Sequence, residues 1–251
     1  MIEIKSAEEL AIMRRAGRVV GRLLAHLTQL VRPGIRTREL DEEAAAYLAR
    51  AGAAPAFLGY RGYPACICVS VNEEVVHGIP GDRRIGDGDV VSIDAGAIVD
   101  GFYGDAAVTV IVGSAGADVT RLVETTSQAL KAGIAQARPG NRLSDISHAV
   151  QQVIERERFG IVREFVGHGI GRAMHEDPPI PNFGPPNAGP RLRAGMVLAI
   201  EPMVTMGDPG VEVLQDGWTA VTKDRSFAAH FEHSVAVTAG GADVLTDAGD
   251  A

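Results

Sequence analysis

The sequence predicts an α+β fold built from two related halves joined without a linker. Three observations carry this. Helical and strand-like segments follow the order helix, helix, strands, and that order occurs twice. Arg32-Pro33-Gly34-Ile35-Arg36 in the first half answers Arg138-Pro139-Gly140-Asn141-Arg142 in the second, 106 residues on. Val90-Val91-Ser92-Ile93-Asp94 answers Val197-Leu198-Ala199-Ile200-Glu201, 107 residues on. Two independent matches at nearly one offset point to a duplicated helix–helix–strand unit. Asp94 and Glu201 then occupy equivalent places about a pseudo-twofold axis.

The elements follow from local signals. Ser6 with Glu9 forms a capping box, and Leu10, Met13, Ala16, Val20, Leu23, Leu24 and Leu27 recur at helical spacing until Arg32-Pro33-Gly34 stops the helix. Thr37 is expected to cap a second helix that runs to about Ala51 and stops at Gly52. Strands are expected at 65–71, 90–95, 98–103 and 106–112, with Asp100-Gly101 near a turn. The second half repeats the plan. Helices over about 118–137 and 144–158 stop at Arg138-Pro139-Gly140 and Gly160, and strands return at 197–200, 211–214, 219–221 and 234–238. The Pro/Gly/Asn-rich stretch from Pro178 to Pro190 reads as a loop inside the second half, and the tail after Gly240 is expected to fray. One catalytic domain over 1–251 is expected, with halves of about 1–113 and 114–251. No N-terminal extension domain is expected, because the first helix is expected to begin almost at the start of the sequence.

Composition narrows the function. The chain has 251 residues, 46% hydrophobic and 22% charged, enough to bury a core. Its 24 basic and 32 acidic residues give a net charge of −8, which disfavours phosphate backbones and anionic membranes as partners. The N-terminus lacks a basic stretch followed by an apolar one, and no apolar run approaches the ~18 residues of a membrane span. The only cysteines, Cys66 and Cys68, are not expected to pair with each other, which fits a reducing, cytoplasmic setting.

The chemistry lies in polar residues beside apolar strands. Asp94 and Glu201 end apolar runs, Asp105 follows Gly104, Glu232 precedes the strand Ser234-Val235-Ala236-Val237, and His168 stands between Gly167 and Gly169. Burying a charge is costly unless it is paired or binds a metal. The segments around Asp94, Asp105 and Glu201 carry no nearby Lys or Arg, so a cation from solution is the economical partner. Two Asp, two Glu and one His suit a pair of divalent ions bridged by carboxylates, with a bridging water that loses a proton near neutral pH. No thiolate spacing suggests a structural zinc site. His77-x-x-Pro80 and His175-x-x-Pro178 form a further matched pair, 98 residues apart. His26, His148, His230 and His233 have no such context and read as structural.

Together these residues resemble the type I methionine aminopeptidase family, of the pita-bread (creatinase/aminopeptidase-like) fold. The matching stretches run from Leu58 to Pro64, from Val71 to Pro80, from Asp89 to Asp94 and from Asp100 to Asp105. In the second half they are Gly167 to Arg172 with His175-Glu176, Ala199 to Pro202, and Phe231 to His233. The resemblance covers about residues 3–246 and implies a curved antiparallel sheet. It implies that Asp94, Asp105, His168, Glu201 and Glu232 hold two divalent ions, of Mn, Fe, Co or Zn. Asp105 and Glu232 would bridge them, His168 and Glu201 would complete one, and Asp94 would chelate the other. It makes His77, His175 and Glu201 the catalytic residues. His175 donates to the scissile carbonyl oxygen, His77 sits near the scissile nitrogen, and Glu201 carries the proton. Tyr60, Tyr63, Cys68 and Trp218 form the slot for the methionine thioether.

The reaction so implied is hydrolytic removal of the initiator methionine from nascent proteins and peptides, with a preference for a small second residue. The implied partners are N-terminal methionine peptides and nascent chains near the ribosome, with no specific nucleic acid, no membrane, and a monomeric protein. Met174, where the family usually has an aromatic residue, and Arg61, which replaces a frequent His, depart from the pattern at the pocket rim. Two rivals are a prolidase or Xaa-Pro aminopeptidase of the same fold, which carries an additional N-terminal domain, and a non-catalytic binding protein, which would lack ligands.

Overall fold

The structure, a computed structural model, describes residues 1–249. Its helices are α1 (Ala7–Leu30), α2 (Thr37–Arg50), α3 (Ala117–Gln136) and α4 (Leu143–Arg156). The first-half strands are β1 (Ala54–Pro55), β2 (Ile67–Val71), β3 (Glu74–Val76), β4 (Val90–Val99) and β5 (Phe102–Ile111). The second half begins with β6 (Gly160–Ile161), β7 (Gly167–Gly169), β8 (Glu176–Ile180), β9 (Val197–Ile200) and β10 (Met203–Thr205). It continues through β11 (Val211–Val213), β12 (Ala220–Thr222), β13 (Ala228–His230), β14 (Glu232–Thr238) and β15 (Gly241–Val244).

A nine-stranded antiparallel sheet takes strands from both halves in the order β1-β4-β5-β14-β9-β7-β8, with β2 on β4 and β15 on β14. Two three-stranded sheets, β13-β10-β6 and β11-β12-β3, stand beside it. Alternation sorts each long strand. In the first half Val69, Val91, Ile93, Ala95 and Ala106 pack against Leu23, Leu27, Leu40 and Leu48 of α1 and α2. In the second, Leu198, Ile200, Val235 and Val237 pack against Leu130 of α3 and Ile146 of α4. The alternate residues, among them Ser70, Ser92, Asp94, Asp105 and Thr109, therefore point to the other face, where the site lies.

The duplication is visible in detail. Gly34 and Gly140 share positive φ values of 91° and 97°, which glycine adopts without steric cost. Isolated bridges join Arg36 to Arg84 and Arg142 to Arg191. The side chains of Glu39 and Asp145 accept from the backbone N–H of Arg36 and Arg142, each at 2.7 Å. The His-x-x-Pro pair does not share this symmetry: His77 follows β3 with φ of 62°, whereas His175 precedes β8.

Several sequence expectations change. The expected strand over 98–103 is instead the bend of one hairpin, because Asp100 (φ 47°) and Gly101 (φ 79°) reverse the chain between β4 and β5. Arg36, not Thr37, is the N-cap of α2; Thr37 exchanges hydrogen bonds with Gly81 at 3.1 and 2.8 Å instead. The first residues of the expected loop from Pro178 belong to β8, which pairs with β7. The tail after Gly240 is held rather than frayed. There β15 pairs with β14, and Leu245, 1% exposed, packs with Met13 of α1 and Phe102.

Candidate metal centre and pocket

Two rows of side chains cross the face of the large sheet away from the helices. In the first, Cys68 stands opposite Asp94, Asp94 opposite Ala107, and Ala107 opposite Glu232. In the second, Gly96 stands opposite Asp105, and Ala199 opposite both Ser234 and His168. Strand periodicity puts both rows on one face. Ala107 is only a methyl group, so space remains between Asp94 and Glu232. Ser234 fixes Asp105, its hydroxyl donating to Asp105 O at 2.8 Å and accepting from Asp105 N at 3.1 Å. Glu201 enters from the end of β9, and the Asn182 side-chain amide holds its carbonyl at 3.0 Å.

Ligand atoms of Asp105, His168 and Glu232 lie within 4.8 Å of one another, and so do those of Glu201, His230 and Glu232. His168 Nε2 is 3.5 Å from Glu201 Oε1, and His230 Nε2 is 3.8 Å from Glu201 Oε2. His168 Nδ1 bonds the Gly169 carbonyl at 2.9 Å. A carbonyl only accepts, so the proton sits on Nδ1 and Nε2 keeps a free lone pair facing the acids.

Electrostatics leave this cluster short of positive charge. Burial and then mutual repulsion push Asp94, Glu201 and Glu232 well above the usual carboxylate range, and burial takes Asp105 up to about 7. Burial also pushes the imidazoles down, His168 and His77 to about 4 and His230 to about 3. None of these His is therefore charged at neutral pH. Among the described residues, no Lys or Arg forms an ion pair with Asp94, Asp105, Glu201 or Glu232. The buried atoms Asp94 Oδ1, Asp105 Oδ1, Glu232 Oε1 and His230 Nε2 have no hydrogen-bond partner. Buried polar atoms are rarely left so. An oxygen-rich set with imidazole nitrogen and unsatisfied lone pairs fits divalent cations.

Beside the cluster is a cavity of about 270 Å³. Tyr60, Tyr63, Cys68, Trp218, His77 and His175 line it, as do Asp94, Asp105, His168, Glu201 and Glu232. Every residue singled out from sequence thus meets in one place. Tyr63 packs edge-on to Trp218 at 5.0 Å and to Phe57 at 6.5 Å. Its hydroxyl donates to the carbonyls of Ile67 and Gly78, at 3.1 and 3.0 Å. His77 sits edge-on to Phe165 and Trp218. His175 stacks on Tyr60, its Nδ1 2.8 Å from the Tyr60 hydroxyl.

Over residues 11–239 the chain matches the model of Metallopeptidase family M24. The chain belongs to this family. Two M24 relatives are especially similar along their whole length. "Methionine aminopeptidase 1" of Bacillus subtilis is 53% identical, over 98% of this chain and 99% of that protein. The crystal structure of methionine aminopeptidase from Thermotoga maritima superposes with a TM-score of 0.97 at 46% identity, over 98% of this chain and 99% of that one. The prolidase from Pyrococcus furiosus shares the fold at TM-score 0.79 and 25% identity, but this chain covers only 65% of it. The pita-bread architecture expected from sequence is therefore the M24 fold, and the chain is a metallopeptidase.

Sequence reading missed several contributors to this M24 site, among them Phe57, Phe165 and His230. Phe57 and Phe165 also line the cavity, and neither stands in a chemical motif. His230, 2% exposed, reads as structural from sequence, yet its free nitrogen faces Glu201. Its spacing of two residues from Glu232 was the only available signal.

Proposed function

We propose that this M24 enzyme removes the N-terminal methionine from proteins and peptides, acting as one catalytic domain in the cytoplasm. The observation that carries the reading is the apolar slot of Tyr60, Tyr63, Cys68 and Trp218 opening directly onto the unpaired carboxylate cluster. Whole-length similarity to proteins named methionine aminopeptidases supports it over the prolidase alternative, whose chain is longer. The retained ligand set argues against a non-catalytic binder. Among the described residues, no helix is long and apolar enough to cross a membrane.

In this reading Asp94, Asp105, His168, Glu201 and Glu232 would hold two divalent ions. Bound, the ions supply Lewis acidity and a water acidic enough to ionise near neutral pH. The slot takes the thioether side chain between Tyr63 and Trp218. Tyr60 donates to His175 Nδ1, which leaves the His175 proton on Nε2 to stabilise charge growing on the scissile carbonyl oxygen. His77, neutral through burial, is placed to hydrogen-bond the scissile nitrogen. Glu201 receives the proton that the nucleophile loses.

The deciding experiment is cleavage of a Met-Ala-Ser peptide by chelator-treated protein, before and after Mn²⁺ or Co²⁺, with Asp105→Ala alongside. Metal-dependent methionine release, absent in the variant, is expected. Folded protein that releases no methionine with any divalent metal overturns the proposal.

A further inference from the structure

We propose that residues 3–5 form a strap belonging to the active site, with Lys5 and Glu176 as positioning residues for His175. Lys5 is a buried cation, its side chain 3% exposed. Its Nζ bonds Glu176 Oε2 at 2.6 Å and Glu3 Oε2 at 3.1 Å. Glu176 Oε1 accepts the backbone N–H of Arg172 at 2.8 Å and of Ala173 at 3.3 Å. One carboxylate therefore ties the turn that carries Met174 and His175 to the amino-terminal segment, 171 residues away in sequence.

The seat is built for this contact. Lys5 N donates to Gly195 O at 2.8 Å, which anchors the strap from its other side. A Cβ on Gly171 would overlap Lys5 Cε and Glu176 Oε1, and one on Gly195 would overlap Ile4 and the Lys5 backbone. Glycine at both places allows the strap to lie against the two loops. Glu176 also stands opposite Gly169 in the β7–β8 ladder, next to His168. The outer pairs, Met1 with Asp177 and Arg172 with Glu9, are exposed and add little. The buried pair differs, because loss of Lys5 leaves the largely buried Glu176 without its ion-pair partner, whereas Lys5 keeps Glu3 when Glu176 is lost. His175 is otherwise located by its contact with Tyr60. A loosened turn would misplace its donor relative to the scissile carbonyl, and small misplacements are costly to turnover.

The inference rests on the proposed aminopeptidase reading, and its test is a double-variant cycle on Mn²⁺-loaded full-length protein with Met-Ala-Ser peptide. Lys5→Met is expected to lower kcat about tenfold, with KM and the Mn²⁺ dissociation constant within about twofold of wild type. In a His175→Ala background the same substitution is expected to cost no further turnover, because coupled residues are not additive. If Lys5→Met does not fold, Glu176→Gln carries the same cycle, since Lys5 then keeps Glu3 as a partner. A loss of equal size with and without His175, or unchanged kcat, overturns the strap's role. Wild-type protein that releases no methionine overturns the activity itself, and this inference with it.

Discussion

His175 shows how much one side chain depends on its neighbours. Its ring lies 4.2 Å from that of His168 and stacks on Tyr60, so it is held without being a member of either ligand cluster. A donor that acts only on developing charge affects turnover more than binding. We expect His175→Ala to lower kcat by about 10²–10³ with KM little changed, read by steady-state kinetics on Met-Ala-Ser. His230 should behave differently. It faces Glu201 beside the ligand atoms, and loss of such a supporting contact usually weakens metal binding 10–100-fold. Equilibrium dialysis of His230→Ala against Mn²⁺ measures this, and wild-type affinity would count against it. The two histidines also differ in legibility. His175 stands in a motif with Glu176, whereas His230 precedes Glu232 across a break between β13 and β14 that local patterning does not reveal.

At the scale of elements, the site is a consequence of register. Asp94, Ala107 and Glu232 come from β4, β5 and β14 and meet only because their ladders align. Ala107 is the gap that lets them face one another. Ala107→Val should leave a folded protein that binds Mn²⁺ much more weakly, visible as normal far-UV circular dichroism with a lost metal titration. Gly104 on β5 has the converse role. A Cβ there would press into the backbone of Ala16 and Gly17, so glycine sets how closely α1 lies on the sheet. Gly104→Ala is expected to lower the thermal midpoint by several degrees, about 1–3 kcal/mol. The helices were readable because caps and 3.6-residue periodicity are local signals; the α1 box of Ser6 and Glu9 appears as expected. The three-residue strands β3, β7, β10 and β13 were not, because so few residues carry no period and their partners are distant in sequence. Such pairing also overruled the expected fraying after Gly240.

For the whole molecule, charge balance ties stability to metal. In metal-free protein Asp105 titrates near 7, above its ordinary 3.8. Its contribution is therefore complete at acid pH and lost as pH rises through 7. His168 and His77 titrate near 4, below their ordinary 6.5. Their contribution is complete above pH 6.5 and lost as pH falls towards 4. Chelator-treated protein should thus lose stability as pH rises from 6 to 8, and the thermal shift on adding Mn²⁺ should grow over the same range. A metal-induced shift that shrinks over that range would contradict the ligand assignment. A small second residue is expected to be preferred, so Met-Ala peptides should be cleaved well ahead of Met-Leu ones; equal rates would discard that preference.

What the sequence by itself determined was the local and the repeated: the helices, the duplicated Arg-Pro-Gly stops, and carboxylates ending apolar strands with no basic partner nearby. Those signals need only neighbours along the chain, and burial cost alone marks such acids as unusual. Resemblance then named each ligand and pocket residue, and the fold gathered all of them around one cavity. Only the tertiary structure decided that β15 holds the tail after Gly240, that His230 turns towards Glu201, and that Lys5 lies beneath the His175 turn. Each of these depends on ladder register or on contacts between distant segments, and no residue's identity records which distant partner it will meet.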